Sequence, residues 1–251
     1  MRDFEDSTLW RISAFERVRR ETGSSGFVRL SGPTVLSTTL LADLRRLDAD
    51  AISNDALEVI AACLRHHEPA LLCLKIGELV WPVTLFPNEQ LYHSSRDMAQ
   101  ASLSGLSAMQ LLTAEPPGVR PPGHWMHERV AEAAHYRPLQ PLLWLLALSG
   151  PRRTLLSDIV GPAAYRLVSG SSSGERPHAP GALGSALERL QNESVLLRDI
   201  AQWPGMSMER ASRLLNGLYL SSCLLVTRTH PRARSHDDQR GGWFGLRRPR
   251  R

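Results

Sequence analysis

Leu197-Arg198-Asp199-Ile200-Ala201-Gln202, then Trp203-Pro204-Gly205-Met206, then Ser207-Met208-Glu209-Arg210-Ala211-Ser212-Arg213-Leu214-Leu215-Asn216-Gly217-Leu218, is the stretch on which the fold of the C-terminal part turns. Pro204 and Gly205 punctuate its middle and make a tight turn. Ser207 follows directly, and its hydroxyl can accept one of the orphan amides of a helical first turn. Ala211, Leu214, Leu215 and Leu218 then recur at the spacing of one buried helix face. Upstream of the turn, residues 197–202 read as a shorter helix, and Leu183, Leu187 and Leu190 mark another before it. Downstream, Leu224-Leu225-Val226-Thr227-Arg228-Thr229 alternates as a strand, and Pro231 opens a basic extension.

Helix, helix, turn, helix, strand and wing, taken over residues 183–230, is the order of a winged helix-turn-helix. The outward positions of its third helix are Glu209, Arg210, Ser212, Arg213 and Asn216. A DNA reader aims Arg or Asn at base edges and surrounds them with phosphate contacts. Arg210, Arg213 and Asn216 have the right chemistry for bases, and Arg228, Arg232 and Arg234 flank them as a wing for phosphates. Glu209, at the entrance of the helix, would face phosphate repulsion. The plainer reading is that Arg and Asn on an outer helix face are simply solvated.

Upstream lies the clearest boundary in the chain. Residues 169–182 carry Gly170-Ser171-Ser172-Ser173-Gly174 and then Pro177, Pro180 and Gly181, the composition of a linker. The same residues match the G-x-S-x-G pattern of a hydrolase nucleophile, with Asp199 and His230 following in triad order. That pattern needs a sharp turn from strand into helix, and Pro180 blocks an immediate helix. A linker is the better reading, and no catalytic residue is assigned.

Residues 1–168 read as an α+β domain, mostly helical with a small antiparallel sheet. A helix from Ser7 or Thr8 to about Arg20, a second carrying Leu36, Leu40, Leu44 and Leu47, and a third over 53–64 come first. Residues 70–76 and 79–86 then flank Gly77-Glu78, a Gly-first pair suited to a tight hairpin. Pro82 cannot donate to a ladder, which makes the second strand an edge or a bulged strand. Trp81, beside it, is the candidate for an exposed protein-docking side chain. Residues 90–93 form a third strand. Residues 99–112 read as a helix, the Pro/Gly-rich run from Pro116 to Gly123 as an extended connector, and 128–136, 141–148 and 154–160 as helices. Residues 163–168 read as a strand. The remaining tryptophans of the body, Trp125 among them, read as core or partly covered edge.

Charge narrows the choice of partner. The 251 residues hold 30 basic and 25 acidic groups, a net charge of +5. From Arg228 to Arg251 there are eight Arg and two Asp, which leaves 22 basic against 23 acidic groups in residues 1–227. A body coated with positive charge for phosphate binding is excluded. Residues 231–251 read as a disordered basic tail, able to meet nucleic acid, an acidic protein or an anionic membrane surface. Lys75 is the only lysine and follows no glycine loop, so neither a P-loop nor a Schiff-base site is read. Cys63, Cys73 and Cys223 are odd in number and far apart, which fits neither a disulfide framework nor a thiolate zinc site. His124, His127 and Glu128, and His66-His67-Glu68, lack the convergent ligands a zinc ion needs. No cofactor or metal is expected. The N-terminus Met1-Arg2-Asp3-Phe4-Glu5-Asp6 is acidic rather than signal-like, and the apolar run 142–148 is too short to span a bilayer. A cytoplasmic protein without integral membrane association is expected.

Residues 183–230 resemble a winged-helix module. The strand-Gly-strand unit followed by helices in 70–112 is similar to PATAN-type bacterial signalling domains, which join a small sheet to a winged helix. That resemblance implies a non-enzymatic regulatory or adaptor protein with a protein partner, Trp81, Arg210 and Arg213 supplying the contact surface. Winged helices at large imply a DNA-binding transcriptional regulator.

Overall fold

The computed structural model describes residues 9–27, 35–50, 54–125, 130–168 and 180–229. The chain is α+β and divides into two compact units, Met1–Thr154 and Leu155–Arg251.

The first unit is organised by a hairpin. Gly77, in a left-handed conformation (φ 61°) that suits glycine, joins β2 (Ala70–Ile76) to β3 (Leu79–Phe86). With the two-residue turn, Ile76 and Leu79 form the closing hydrogen-bonded pair, and pairs alternate from there. Pro82, opposite Cys73, therefore falls at a non-hydrogen-bonded position and turns its nitrogen away from β2. On that far side β1 (Trp10–Arg11) pairs with Leu79 and Val80, and β4 (Leu91–His93) pairs with residues 84–86. Pro82 sits in the gap between them. The expectation of an edge strand is thus corrected: β3 is interior, and the missing amide is accommodated by a local break in its outer pairing. The antiparallel sheet runs β5-β2-β3-β4-β6, with β5 at Gln110–Glu115 and β6 at Tyr136–Pro138.

Both faces of the sheet are covered. Leu71, Cys73 and Val80 share one face and pack with Phe15 of α1 (Ile12–Thr22), joined by Trp10, Ile12, Phe27 and Leu112. α3 (Ala56–His66) is buried from Ala56 to Cys63, touching β2 and β5 as well as α2 (Thr38–Ala49). α4 (Leu103–Ser107) and α5 (Leu139–Ser149) complete this unit, α5 packing against β4. Trp81 is only 6% exposed, which overturns its reading as an exposed docking residue.

Polar groups tie these layers. Asp43 of α2 accepts from His66 Nε2 (2.9 Å) and from Arg65, linking α2 to α3. The His66 bond, with the cations Arg65 and Arg46 nearby, holds the Asp43 carboxyl below its ordinary value. Arg152 donates to Asp55 Oδ2 (2.6 Å) and meets Glu58 Oε1 at 2.8 Å, where Glu58 is 1% exposed. Ser25 donates its amide and hydroxyl to the two oxygens of buried Glu115 (3.0 and 2.8 Å).

Three expected helices are not regular helices. In 99–112, Asp97 caps Ala99 and Ser102 caps Gly105, so two short turns (Met98–Gln100 and α4) replace one helix. The remainder becomes β5, which takes the free side of β2. In 128–136 the described residues give a short turn at Ala133–His135 and the start of β6. Residues 154–160 form turns whose backbone bonds are taken elsewhere in the second unit.

The second unit contains β7 (Ala164–Leu167), α6 (Ala182–Asn192), β8 (Val195–Leu196), α7 (Leu197–Ile200), α8 (Met208–Leu220) and β9 (Leu224–Thr227). Its antiparallel sheet has the order β8-β7-β9. The strand that precedes all three helices is therefore central, and the composition boundary after Val168 cuts between elements of one sheet. Ala211, Leu214, Leu215 and Leu218 of α8 are fully buried, as the spacing predicts. Tyr165 of β7, also fully buried, donates its hydroxyl to Ile159 O (2.7 Å).

Candidate functional site

α8 is set in place by the turn before it. Gly205 has φ 73°, and a Cβ there would lie 2.8 Å from Ala182 Cβ, so glycine alone lets the turn close against the start of α6. Ser207 then caps α8, its hydroxyl accepting from Arg210 N (3.2 Å). Arg189 of α6 lies over the Trp203 ring, 5.1 Å from its centroid, and holds the turn from the other side.

The residues expected to read bases are distributed unevenly. Arg210 is exposed and donates to Gly205 O. Arg213 bonds Glu209 Oε1 through Nε (3.0 Å), and its side chain is only 13% exposed. Asn216 is fully buried, and its Oδ1 accepts the amide of Leu156 (2.9 Å). Asn216 is thus an internal strut, and its assignment to base contact is corrected. Ser212 is buried as well and donates to Met208 O (2.8 Å).

What occupies the C-terminal half of α8 is residues 155–160. Tyr219 donates to Asp158 Oδ2 (3.0 Å), and Arg228 donates to Val160 O (3.0 Å) and Asp158 O (2.8 Å). Arg228, expected to meet phosphate, here clamps this segment. The sequence reads 154–160 as a helix of the preceding domain, and nothing local points to this arrangement. No local pattern links Leu156 to Asn216. Arg232 and Arg234, His230 and the rest of the tail lie outside the described residues, as do Ser171, Ser172 and Ser173.

At the first turn of α8, Met208 is 52% exposed beside exposed Arg210. Leu225 is exposed on β9, which among the described residues has a neighbour strand on one side only. Met208 and Leu225 are thus apolar side chains open to solvent, and Arg210 is an exposed cation.

Other candidates resolve as follows. His66 serves the Asp43 network, and His124 contacts Arg120 Nη1 (3.2 Å) and stacks on Trp125. No group of three or more metal-ligating side chains is found among the described residues. Burial pushes the Cys63 and Cys73 thiols up to about 12, which makes both poor nucleophiles. Trp125 is 77% exposed, contrary to its reading as core or partly covered edge. His93, unremarked in the sequence, is buried with no partner for Nε2, its ring 5.1 Å from Tyr136 and 5.9 Å from His135. Burial, assisted by the charges of His135 and Arg137, pushes it down to about 4.

No family model, curated protein or solved structure matches the chain. No helix among the described residues is long and apolar enough to cross a membrane.

Proposed function

We propose that the chain is a non-enzymatic cytoplasmic regulatory or adaptor protein acting through protein contacts, with a winged-helix-like second unit turned from DNA to protein recognition. The observation that carries this reading is the state of α8. A helix that enters the major groove must present its outward Arg and Asn side chains to base edges. Here Asn216 is buried against Leu156 and Arg213 is held by Glu209. What α8 offers to solvent is its first turn, where Met208 and Arg210 stand together. An exposed apolar side chain beside an Arg suits a protein interface. The three cysteines are free and buried, which accords with a reducing compartment.

Crosslinked pull-down from native lysate, with and without nuclease, tests the proposal. The expected result is a stoichiometric protein partner that survives nuclease and is lost in Met208→Glu and Arg210→Glu. A chain that recovers partners only through nuclease-sensitive material, and binds duplex with a steep salt dependence, would instead be a winged-helix DNA-binding regulator using Arg210 and its basic tail.

A further inference from the structure

A cavity of about 390 Å³ opens in the first unit, far from α8 in sequence, between β5 and the helices α1, α2 and α3. One wall is strand: residues 111–114 of β5 line it consecutively. The facing wall is helix, with Leu44, Leu47 and Asp48 of α2, and Arg19 of α1 stands at the rim. At ~3.3 Å per residue, these four residues span roughly 13 Å.

β5 is the terminal strand of its sheet and, among the described residues, pairs only with β2. Its outer side faces the cavity. Leu111 N donates outward to Asn54 O (3.0 Å), so the residue entering α3 already does for one amide what a guest strand would do for the next. Leu112 is the extra residue of a bulge, since Cys73 pairs with Thr113 and Leu74 with Leu111. A bulge bends an edge and discourages flat sheet-to-sheet pairing. The facing wall is a helix, so a whole second sheet edge is disfavoured relative to one strand. A single extended chain lying between strand and helix remains, a recurring mode of peptide recognition.

The rim supplies polarity. Arg19 and Asp48 are both exposed, and neither side chain has a hydrogen-bond or ion-pair partner among the described residues. They are not bonded to each other either. Between them the lining is mixed: Leu44, Leu47 and Val59 supply apolar groups, and Asn54 and Thr113 polar ones. We infer that this cleft takes a short extended peptide of a partner protein, added along β5 with an acidic side chain toward Arg19 and a basic one toward Asp48. The inference rests on the reading of the chain as a protein-contact protein, and it places a second contact surface on the first unit.

The test is selection of a phage-displayed random heptapeptide library on the full chain, with the charge-exchanged variant Arg19→Glu/Asp48→Lys panned in parallel. Both substitutions are at exposed positions, and an unchanged circular dichroism melt verifies folding. Wild type should enrich β-branched, alternating peptides carrying one acidic and one basic residue, and the variant should enrich the same pattern with the charges exchanged. The wild-type peptide, synthesised and measured by fluorescence anisotropy, should bind the variant at least about tenfold more weakly, as for loss of one charge-assisted bond. N-methylation of the amides along one edge of the peptide should abolish binding. No enrichment over a library-only control, or peptides that bind both proteins equally and tolerate N-methylation, overturns the inference. Competition by free amino acids with no dependence on peptide backbone would make the cleft a small-molecule site and overturn it too. These failures leave the nuclease-resistant partner of α8 unaffected, so the two proposals fall separately.

Discussion

Acidification should weaken the first unit through His93 over a defined range. The imidazole is 5% exposed, and its folded value of about 4 compares with 6.5 in the unfolded chain. As pH falls below 6.5 the unfolded state takes up a proton that the folded state refuses, so stability declines. The decline ends near pH 4, where both states are protonated. A difference of about 2.5 pH units at 1.36 kcal/mol each corresponds to a loss of about 3 kcal/mol. Asp43 works in the same direction but in a separate window, because its folded carboxyl titrates below 3.8 and its contribution is lost only as pH falls beneath that value. Urea titrations at several pH values between 7.5 and 4.5, read by hydrogen exchange over residues 79–93, isolate the His93 contribution from the second unit. His93→Phe places an untitratable ring beside Tyr136 and should flatten the profile above pH 4.5. A slope unchanged in His93→Phe, or stability that rises on acidification in wild type, would refute the reasoning.

Three further outcomes follow from buried groups. Arg152→Met removes a cation from beside Glu58 and should cost about 3–5 kcal/mol, with partial recovery when Glu58→Leu is added; a loss below about 1 kcal/mol in urea unfolding would count against the ion pair as a strut. Asn216→Ala leaves the Leu156 amide without its acceptor and should destabilise the second unit by about 1–3 kcal/mol, measurable as a drop in thermal midpoint. Cys63 and Cys73 should resist a thiol reagent at pH 8 in the native protein and react on unfolding; rapid native labelling of either would contradict their burial.

Where the sequence is legible, the reason is local. The 3.6-residue spacing of Ala211, Leu214 and Leu218, the Ser207 cap and the Gly77 turn are fixed by neighbours along the chain, and each reappears in the fold. What was misread depends on partners distant in sequence. The segment 110–115 becomes a strand because β2 has a free side there, and Pro82 sits inside the sheet because β1 and β4 leave a gap opposite it. Asn216 has the chemistry of a base reader, and only the arrival of Leu156 shows it to be an internal acceptor. Trp81 and Trp125 exchange their expected environments for the same reason: the adjacent proline and the polar neighbourhood do not report which face a tertiary contact covers.

The central position of β7 has a consequence for how the chain emerges during synthesis. Ala164 pairs with Leu196 on one side and with Thr227 on the other. A ribosome delivers β7 first and its neighbours later, so one edge must wait for residues 195–196 and the other until residues 224–227 have left the exit tunnel. Contacts of such sequence separation form slowly, and an open strand is the kind that invites wrong pairing in the interval. A fragment that starts at the Gly/Ser-rich boundary would lack this strand altogether, and supplying residues 155–168 as a separate peptide should restore the sheet by complementation.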